Sequence, residues 1–206
     1  MRKERGLERF LTFLDAIVAI AVTLLILPLV ELLDEVDQNA SLRDLLDENR
    51  NKIWAFLLSF VVIVAFWRAH HSIFTHVARY DSWLGLFSLA WALTIVALPF
   101  PTQIIAVLDT SRATFGLYVG VMVANALLLA AMSLRISRTP GLRVPARDGD
   151  VPYSAVPALV HASLMVAALV IGLAVPSVGF FALLLLLFAG PVLRIRRRRS
   201  RPADTH

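Results

Sequence analysis

Residues 16–30, near the N-terminus, form an uninterrupted run without a charge, and Thr23 is the one polar side chain in it. Asp15 precedes this run and Glu31 follows it. As an α-helix, residues 16–33 would rise about 27 Å, close to the thickness of the hydrocarbon core of a bilayer. A helix that is apolar on every side needs a large protein core or a membrane around it. The run therefore predicts a membrane-spanning helix.

The composition extends this prediction to the whole chain. Hydrophobic residues make up 58% of the 206 residues and the mean hydropathy is +0.74, whereas soluble domains are about 45–50% apolar. The apolar residues fall into six blocks, which predict an all-α membrane protein with spans at residues 10–33, 53–70, 83–108, 113–134, 153–175 and 178–193. Between the first two spans, Ser41 is a candidate N-cap of a short helix. Because the chain has no cysteine, disulfides and thiolate metal sites are excluded.

The basic residues predict the orientation. With a cytoplasmic N-terminus, 16 of the 20 Lys and Arg residues fall on the cytoplasmic side, as the positive-inside rule requires for six spans with both termini inside. This bias accounts for the net charge of +5 without a nucleic-acid partner. No small-residue cleavage site follows the first span, so we do not expect a removed signal peptide. The predicted units are a six-helix transmembrane domain, residues 1–193, and a basic cytoplasmic tail, residues 194–206.

Three motifs lie in order along the first half of the chain. The first is Arg9-x-x-x-Phe13-Leu14-Asp15-Ala16 followed by A-I-A-V-T-L-L at residues 19–25; the others are W-R-A-H-H-S-I-F at residues 67–74 and L-P-F-P-T at residues 98–102. Together they resemble the signatures of the endolysosomal potassium channel family (transmembrane protein 175 type), in its prokaryotic branch. Two features depart from that pattern: Leu14 stands where the family has Ser, and the third span lacks an Asn that the family often has there.

The resemblance implies a potassium-permeable cation channel of a bacterial plasma membrane, with six transmembrane helices per chain assembled as a homotetramer around a central pore. It implies that the first helix lines the pore, with apolar constriction rings at Ile20, Leu24 and Leu27 and with Thr23 beside the first ring. No T-V-G-Y-G loop occurs in the sequence, so a filter of backbone carbonyls of that kind is not expected. An apolar constriction implies modest selectivity for K⁺ over Na⁺, set by the cost of dehydration.

The spacing of these residues agrees with that interpretation. Positions 20, 24 and 27 follow i, i+4, i+7, which is one stripe of a continuous helix. Four residues further along, Glu31 could present a carboxylate at the outer mouth and concentrate cations. The alternative is that the stripe faces lipid or packs against another helix, as most Leu/Ile stripes on membrane helices do.

Polar and aromatic residues at the cytoplasmic end of the first two spans form a second candidate group. We expect Arg9, Phe13, Asp15 and His70 to brace the pore helix, with His70 pairing with Asp15. The alternatives are that Asp15 interacts only with the helix dipole and that His70 snorkels to the interface. The histidines at 70, 71 and 76 have no nearby acidic residue in the sequence except Asp81, so no metal site is predicted. His161 could relay protons or bond to a neighbouring helix.

The sequence thus favours an ion channel that needs no cofactor beyond the permeant K⁺, with membrane lipid and further copies of itself as partners. A secondary transporter of a small cation or solute is the main alternative, and it would need polar residues near the midplane. The candidates for that role are Thr23, Thr94, Asn125 and His161. A membrane enzyme or a structural subunit is a further alternative, but the clustered His or carboxylate residues of an enzyme are not evident.

Overall fold

The computed structural model describes residues 2–32, 41–108, 111–145 and 153–175, and almost all of their regular structure is α-helical. The helices are α1 Arg2–Leu24, α2 Leu27–Glu31, α3 Leu42–Glu48, α4 Arg50–Phe74, α5 Ser82–Ala97, α6 Pro99–Val107, α7 Arg112–Arg138 and α8 Val156–Ala174. A 3₁₀ turn, Pro140–Leu142, follows α7. The Ser41 side chain accepts a hydrogen bond from the Asp44 amide at the start of α3, which confirms the predicted N-cap.

Five segments of the described residues are long and apolar enough to cross a membrane: Arg5–Glu31, Arg50–Phe74, Ser82–Val107, Arg112–Arg138 and Val156–Ala174. They coincide with the first five predicted spans, so the all-helical membrane class is confirmed. The sixth predicted span, residues 178–193, and the basic tail lie outside the described residues. The division of the chain at residue 193 stays a prediction.

Proline divides two of these spans into two helices each. In the third span, α5 ends at Ala97 and α6 begins at Pro99. In the first span, α1 ends at Leu24 and α2 begins at Leu27, with Pro28 in its first turn. Proline has no amide hydrogen and its ring collides with the carbonyl four residues earlier, so a regular helix cannot continue through either position.

Helix α7 is the central element of the described fold. It packs against α8, α5, α6 and α4, and its buried side chains include Phe115, Tyr118 and Met132. Helix α1 instead packs on one side of the group, against α5 and α4. Aliphatic and aromatic side chains thus surround α7, whereas one face of α1 lies outside this core.

Segments that the sequence assigns to the cytoplasmic side meet at one end of the helices. The Phe10 ring stacks on Tyr80, which precedes α5, with centroids 5.1 Å apart. The Ala78 amide donates to the Leu142 carbonyl at 2.9 Å. These contacts bring the N-terminal part of α1, the α4–α5 loop and the segment after α7 together, as an even number of crossings between them requires.

Candidate functional site

Helix α1 has two different faces. Leu14, Val18, Ala21 and Leu25 are buried in the core, and Leu25 is 1% exposed. Their spacing of 4, 3 and 4 residues is one stripe of a helix, and this stripe fixes the rotation of α1 against α4 and α5. Leu14 replaces the family's Ser on this buried face, so at this position packing takes the place of a hydroxyl.

The predicted constriction residues lie on the other face of the first span. Ile20 is 60% exposed, Leu24 48% and Leu27 51%. Within one copy of the chain, these three side chains therefore have few neighbours. An exposed apolar row is stable in a membrane, where it contacts lipid, another copy of the chain or an apolar channel.

The continuous helix assumed in the spacing argument is wrong. The amides of Leu25 and Ile26 bond to carbonyls three residues earlier, Val22 and Thr23, both at 3.3 Å. These tightened turns separate Leu24 on α1 from Leu27 on α2. The cause is Pro28, which cannot donate to the Leu24 carbonyl. All three side chains of the row are still exposed, but Leu27 belongs to the second, short helix α2.

Thr23 and Glu31 border this row at two heights. The Thr23 hydroxyl donates to the Ile20 carbonyl at 2.8 Å, a bond within the helix that leaves its oxygen lone pairs as acceptors. Glu31 is exposed at the end of α2. The described residues hold no ion-pair partner for it.

The bracing residues are arranged differently from the prediction. Asp15 accepts a hydrogen bond from the Trp67 indole at 2.8 Å, so Trp67 on α4 holds the entrance of α1. Trp67 belongs to the motif at residues 67–74, but its bond to Asp15 was not predicted. The indole N–H lies at the end of a long, rigid side chain, so it can donate to a carboxylate on a neighbouring helix.

The predicted pair between Asp15 and His70 is wrong. His70 is 2% exposed, its ring stacks on Trp91 with centroids 4.0 Å apart, and its Nε2 has no hydrogen-bond partner within the described residues. His70 lies three residues after Trp67 on α4 and faces the core, whereas Asp15 is exposed and bonds to Trp67 instead. The role of His70 in bracing stays a prediction.

The other two bracing residues remain at the surface. Phe13 is exposed, and Arg9 is exposed without an ion pair or hydrogen bond among the described residues. Their roles in bracing stay predictions, and their partners would have to lie on a neighbouring copy of the chain.

At the same end of the helices, an ion pair connects α7 to the start of α5. The Arg135 guanidinium on α7 donates to Asp81 through Nε at 3.0 Å and through Nη2 at 2.5 Å. Asp81 also caps α5 by accepting from the Leu84 amide at 2.9 Å. Partial burial acts to raise the pKa of the Asp81 carboxyl, but the Leu84 amide and Arg135 outweigh it, so that pKa lies below its ordinary value.

Two buried polar networks connect the helices, and one of them engages two of the polar residues that a transporter could have used. On α5 and α7, the Asn125 amide donates to Thr94 at 2.7 Å and accepts from the Trp91 indole at 3.1 Å. Between α4, α6 and α7, the Ser59 hydroxyl contacts Thr102 at 2.7 Å and Tyr118 at 3.2 Å. Asn125 on α7 thus supplies a side-chain amide to the third span, whose own sequence contains no Asn.

His161 on α8 is half-buried, with its ring nearly perpendicular to that of Phe66 at a centroid distance of 6.4 Å. The described residues provide no hydrogen bond to it, so neither of its two predicted roles is tested. Among the same residues, no three His, Asp or Glu side chains are grouped to hold a metal ion.

Comparison with known proteins connects this arrangement to a family. Residues 9–99 match the family model described as "Endosomal/lysosomal potassium channel TMEM175". A Streptomyces collinus protein named as a potassium channel is 35% identical over 140 residues, which cover 66% of this chain and 67% of the relative. A mouse protein named endosomal/lysosomal proton channel TMEM175 is 34% identical over 104 residues, 48% of this chain and 20% of that protein.

The fold agrees with these sequence matches. The crystal structure of a lysosomal potassium-selective channel TMEM175 homolog from Chamaesiphon minutus superimposes with a TM-score of 0.63, at 24% identity, over 88% of this chain and 97% of that one. These relatives are named as ion channels, which agrees with the prediction that the chain is not an enzyme. The resemblance drawn from its three motifs is confirmed: the chain belongs to the TMEM175 family of endosomal/lysosomal-type channels.

Proposed function

We propose that the chain forms a potassium-permeable cation channel in which several copies, four by the family resemblance, surround a central pore. The first span would line this pore, and Ile20, Leu24 and Leu27 would form its constriction. The observation that carries the proposal is the exposed apolar row on the face of α1 and α2 opposite the buried stripe. One helix cannot enclose a conduit, so a closed ring of identical subunits is required.

The physical mechanism is control of hydration. Rings of Leu and Ile offer an ion no strong ligand, so a narrow ring excludes water and stops conduction, while slight widening lets water and ions return. K⁺ gives up water more readily than Na⁺, which gives a modest preference for K⁺. Thr23 would place a hydroxyl ring beside Ile20, and Glu31 would raise the local cation concentration at the outer mouth.

The proposed location is the plasma membrane of a bacterium, with both termini in the cytoplasm. The bacterial relatives and the positive-inside bias support this orientation. The joining of the N-terminal part of α1, the α4–α5 loop and the segment after α7 at one end also supports it, because these are the segments predicted to lie inside.

A carrier mechanism has less support from the structure. Thr94 and Asn125 bond to each other and to Trp91, and Thr23 bonds to its own helix. Three of the four polar residues that could have bound a carried solute near the midplane are thus already engaged in one copy of the chain.

The full-length chain in planar bilayers, with opposed K⁺ and Na⁺ gradients at symmetrical pH, tests the channel directly. We expect single-channel currents with a reversal potential displaced towards that of K⁺. A pH gradient imposed afterwards measures any proton current, since vertebrate relatives are named proton channels. Flux at carrier-like turnover without unitary currents would contradict the proposal.

The substitution Ile20→Asn tests the constriction, because an amide in the ring should retain water and raise the unitary conductance. Ile26→Asn is its matched control: Ile26 is also exposed on the first span but is not one of the three predicted constriction positions. Equal conductance of wild type and Ile20→Asn, or an equal increase in Ile26→Asn, would remove Ile20 from the pore.

A further inference from the structure

An open groove runs along the C-terminal part of α4, apart from the proposed pore row. Its volume is about 470 Å³, and its lining residues are Trp67, Arg68, His71, Ser72 and Thr75. These positions follow i, i+1, i+4, i+5 and i+8, so they form one stripe of the helix. The opposite stripe of the same turns is buried and includes His70, Ile73 and Phe74.

The groove offers hydrogen-bond donors and a positive charge. Arg68, His71 and Ser72 are exposed, and within the described residues none of their side chains has a hydrogen-bond or ion-pair partner. The guanidinium presents a planar fork of donors, the imidazole carries at least one N–H in either tautomer, and Ser72 adds a hydroxyl. No carboxylate lines the groove, so its chemistry is complementary to an anion with several oxygens.

The groove wall is preorganised by contacts on either side. Trp67 is held by its bond to Asp15 at 2.8 Å, and its ring faces that of His71 with centroids 5.6 Å apart. The Thr75 hydroxyl donates to the Ser72 carbonyl at 2.8 Å. The bond to Trp67 also directs the Asp15 charge at the indole, outside the set of lining residues.

Its position selects the source of the anion. The groove occupies the last two turns of a membrane-spanning helix, at the end where basic residues gather, including Arg79, Arg138 and Arg143. A tryptophan beside an arginine at the end of a span is the arrangement that meets lipid headgroups. Phospholipids present their phosphodiesters at the end of a span continuously and at a high local concentration.

We propose that the groove of Trp67, Arg68, His71 and Ser72 binds the phosphate headgroup of an anionic phospholipid in the leaflet on the side of the N-terminus. Arg68 forms the charged, bidentate contact with the phosphate oxygens, and His71 and Ser72 add neutral hydrogen bonds. Because Trp67 also bonds to Asp15, an occupied groove stiffens the entrance of α1. The inference goes beyond the proposed channel function and requires only that the chain spans a membrane.

Native mass spectrometry of the purified full-length chain, titrated with phosphatidylglycerol and separately with phosphatidylcholine, tests the site. We expect tighter binding of phosphatidylglycerol, and a loss of about tenfold in its affinity in Arg68→Gln, as for removal of one charge-assisted hydrogen-bonding group. Arg112→Gln is the matched control, because Arg112 is exposed at the start of α7, the end of that span predicted to lie on the opposite side of the membrane from Arg68. The affinity of this variant for phosphatidylglycerol should differ from that of the wild type by less than about twofold.

Three results would overturn the proposal. Arg68→Gln could bind phosphatidylglycerol as wild type does, which is also the result expected if a neighbouring copy of the chain covers the groove. Arg112→Gln could lose as much affinity, which would make the binding a general effect of net charge. Inorganic phosphate could displace the lipid at millimolar concentration, which would make a soluble anion the ligand. Because no current is measured, failure of the channel proposal would leave this test intact.

Discussion

Helices α1 and α7 are both membrane spans, yet their positions in the fold are opposite to what apolarity alone would predict. The first span is the most apolar of the five, and 22% of its most apolar 18-residue window is buried; for α7 the share is 56%. α7 carries Gly116, Gly120, Asn125 and Ser133, and α1 carries an almost pure aliphatic run. The less apolar helix is thus the central one.

This contrast shows how a bilayer changes the rule for burial. In water, the most apolar segment is driven inside. In lipid, aliphatic side chains are equally well solvated outside, so close packing and hydrogen bonds decide which helix is central. Small and polar residues supply both on α7. An aliphatic helix such as α1 can then remain at the edge, available to a pore or to other copies of the chain.

The largest test of this contrast is Leu25→Ala compared with Leu24→Ala. Leu25 is 1% exposed and Leu24 is 48% exposed, so the same deletion on adjacent residues separates packing from function. We expect Leu25→Ala to destabilise the chain by about 2 kcal/mol, at the low end for buried leucines because lipid also solvates the unfolded chain. Leu24→Ala should change stability by less than about 0.5 kcal/mol and should alter conduction.

Thermal unfolding of the two variants in the same detergent measures the first effect, and unitary conductance in bilayers measures the second. Equal stability losses would mean that Leu24 is also buried, in the assembled protein, against another subunit. That outcome would remove Leu24 from the pore surface.

The next test concerns close packing around α7. A Cβ added at Gly172 on α8 would collide with the Phe115 ring of α7, whereas one at Gly120 would meet nothing within 4 Å. We expect Gly172→Ala to cost about 1–3 kcal/mol through overpacking, and Gly120→Ala to be neutral or slightly stabilising through helix propensity. Unfolding midpoints of the two variants give the comparison, and an unaffected Gly172→Ala chain would show that α8 does not pack tightly on α7.

A smaller effect should follow loss of the polar network on the same helix. Asn125→Leu leaves the Trp91 indole N–H buried without its acceptor, at 3.1 Å in the wild type. The cost should be about 1 kcal/mol, between membrane averages and the value for soluble cores. Thr23→Val on α1 is the control, because its hydroxyl is exposed and bonds within its own helix. Matching losses in thermal stability would contradict the difference between the two helices.

The smallest expected effect belongs to the ion pair of Asp81 and Arg135, which ties α5 to α7. Since the pKa of Asp81 lies below its ordinary value of 3.8, its stabilisation is present above that value and is lost as the pH falls through the lower folded-state pKa. Asp81→Asn keeps a helix-capping side chain but should cost about 0.5–1 kcal/mol at pH 7.

Unfolding midpoints measured from pH 7 down to pH 3 check this prediction. The wild type and Asp81→Asn should differ by a constant amount until the pH approaches 4 and should converge below it. A gap that stays constant through the acid range would show that the charge of Asp81 does not contribute.

The limits of the sequence analysis can be seen in particular residues. Ser41 as a cap and the five described spans follow from local composition and periodicity, whereas the row at Ile20, Leu24 and Leu27 was predicted from the family resemblance. The turn between Leu24 and Leu27 could have been predicted from Pro28, which the spacing argument passed over. The partner of Asp15 could not, because Trp67 and His70 lie one turn apart on α4, and only the rotation of that helix decides which of them faces the carboxylate.

The sequence alone therefore determined that the chain is helical and lies in a membrane, because the length and the apolarity of each span are local properties set by the bilayer. It also determined the family, because motif residues are read in order along the chain. The tertiary structure decided which helix is central, which side of α1 is buried, and that His70 stacks on Trp91 while Asp15 bonds to Trp67. These outcomes depend on the rotation and close packing of neighbouring helices, and a uniformly apolar segment carries no periodic signal that fixes either one.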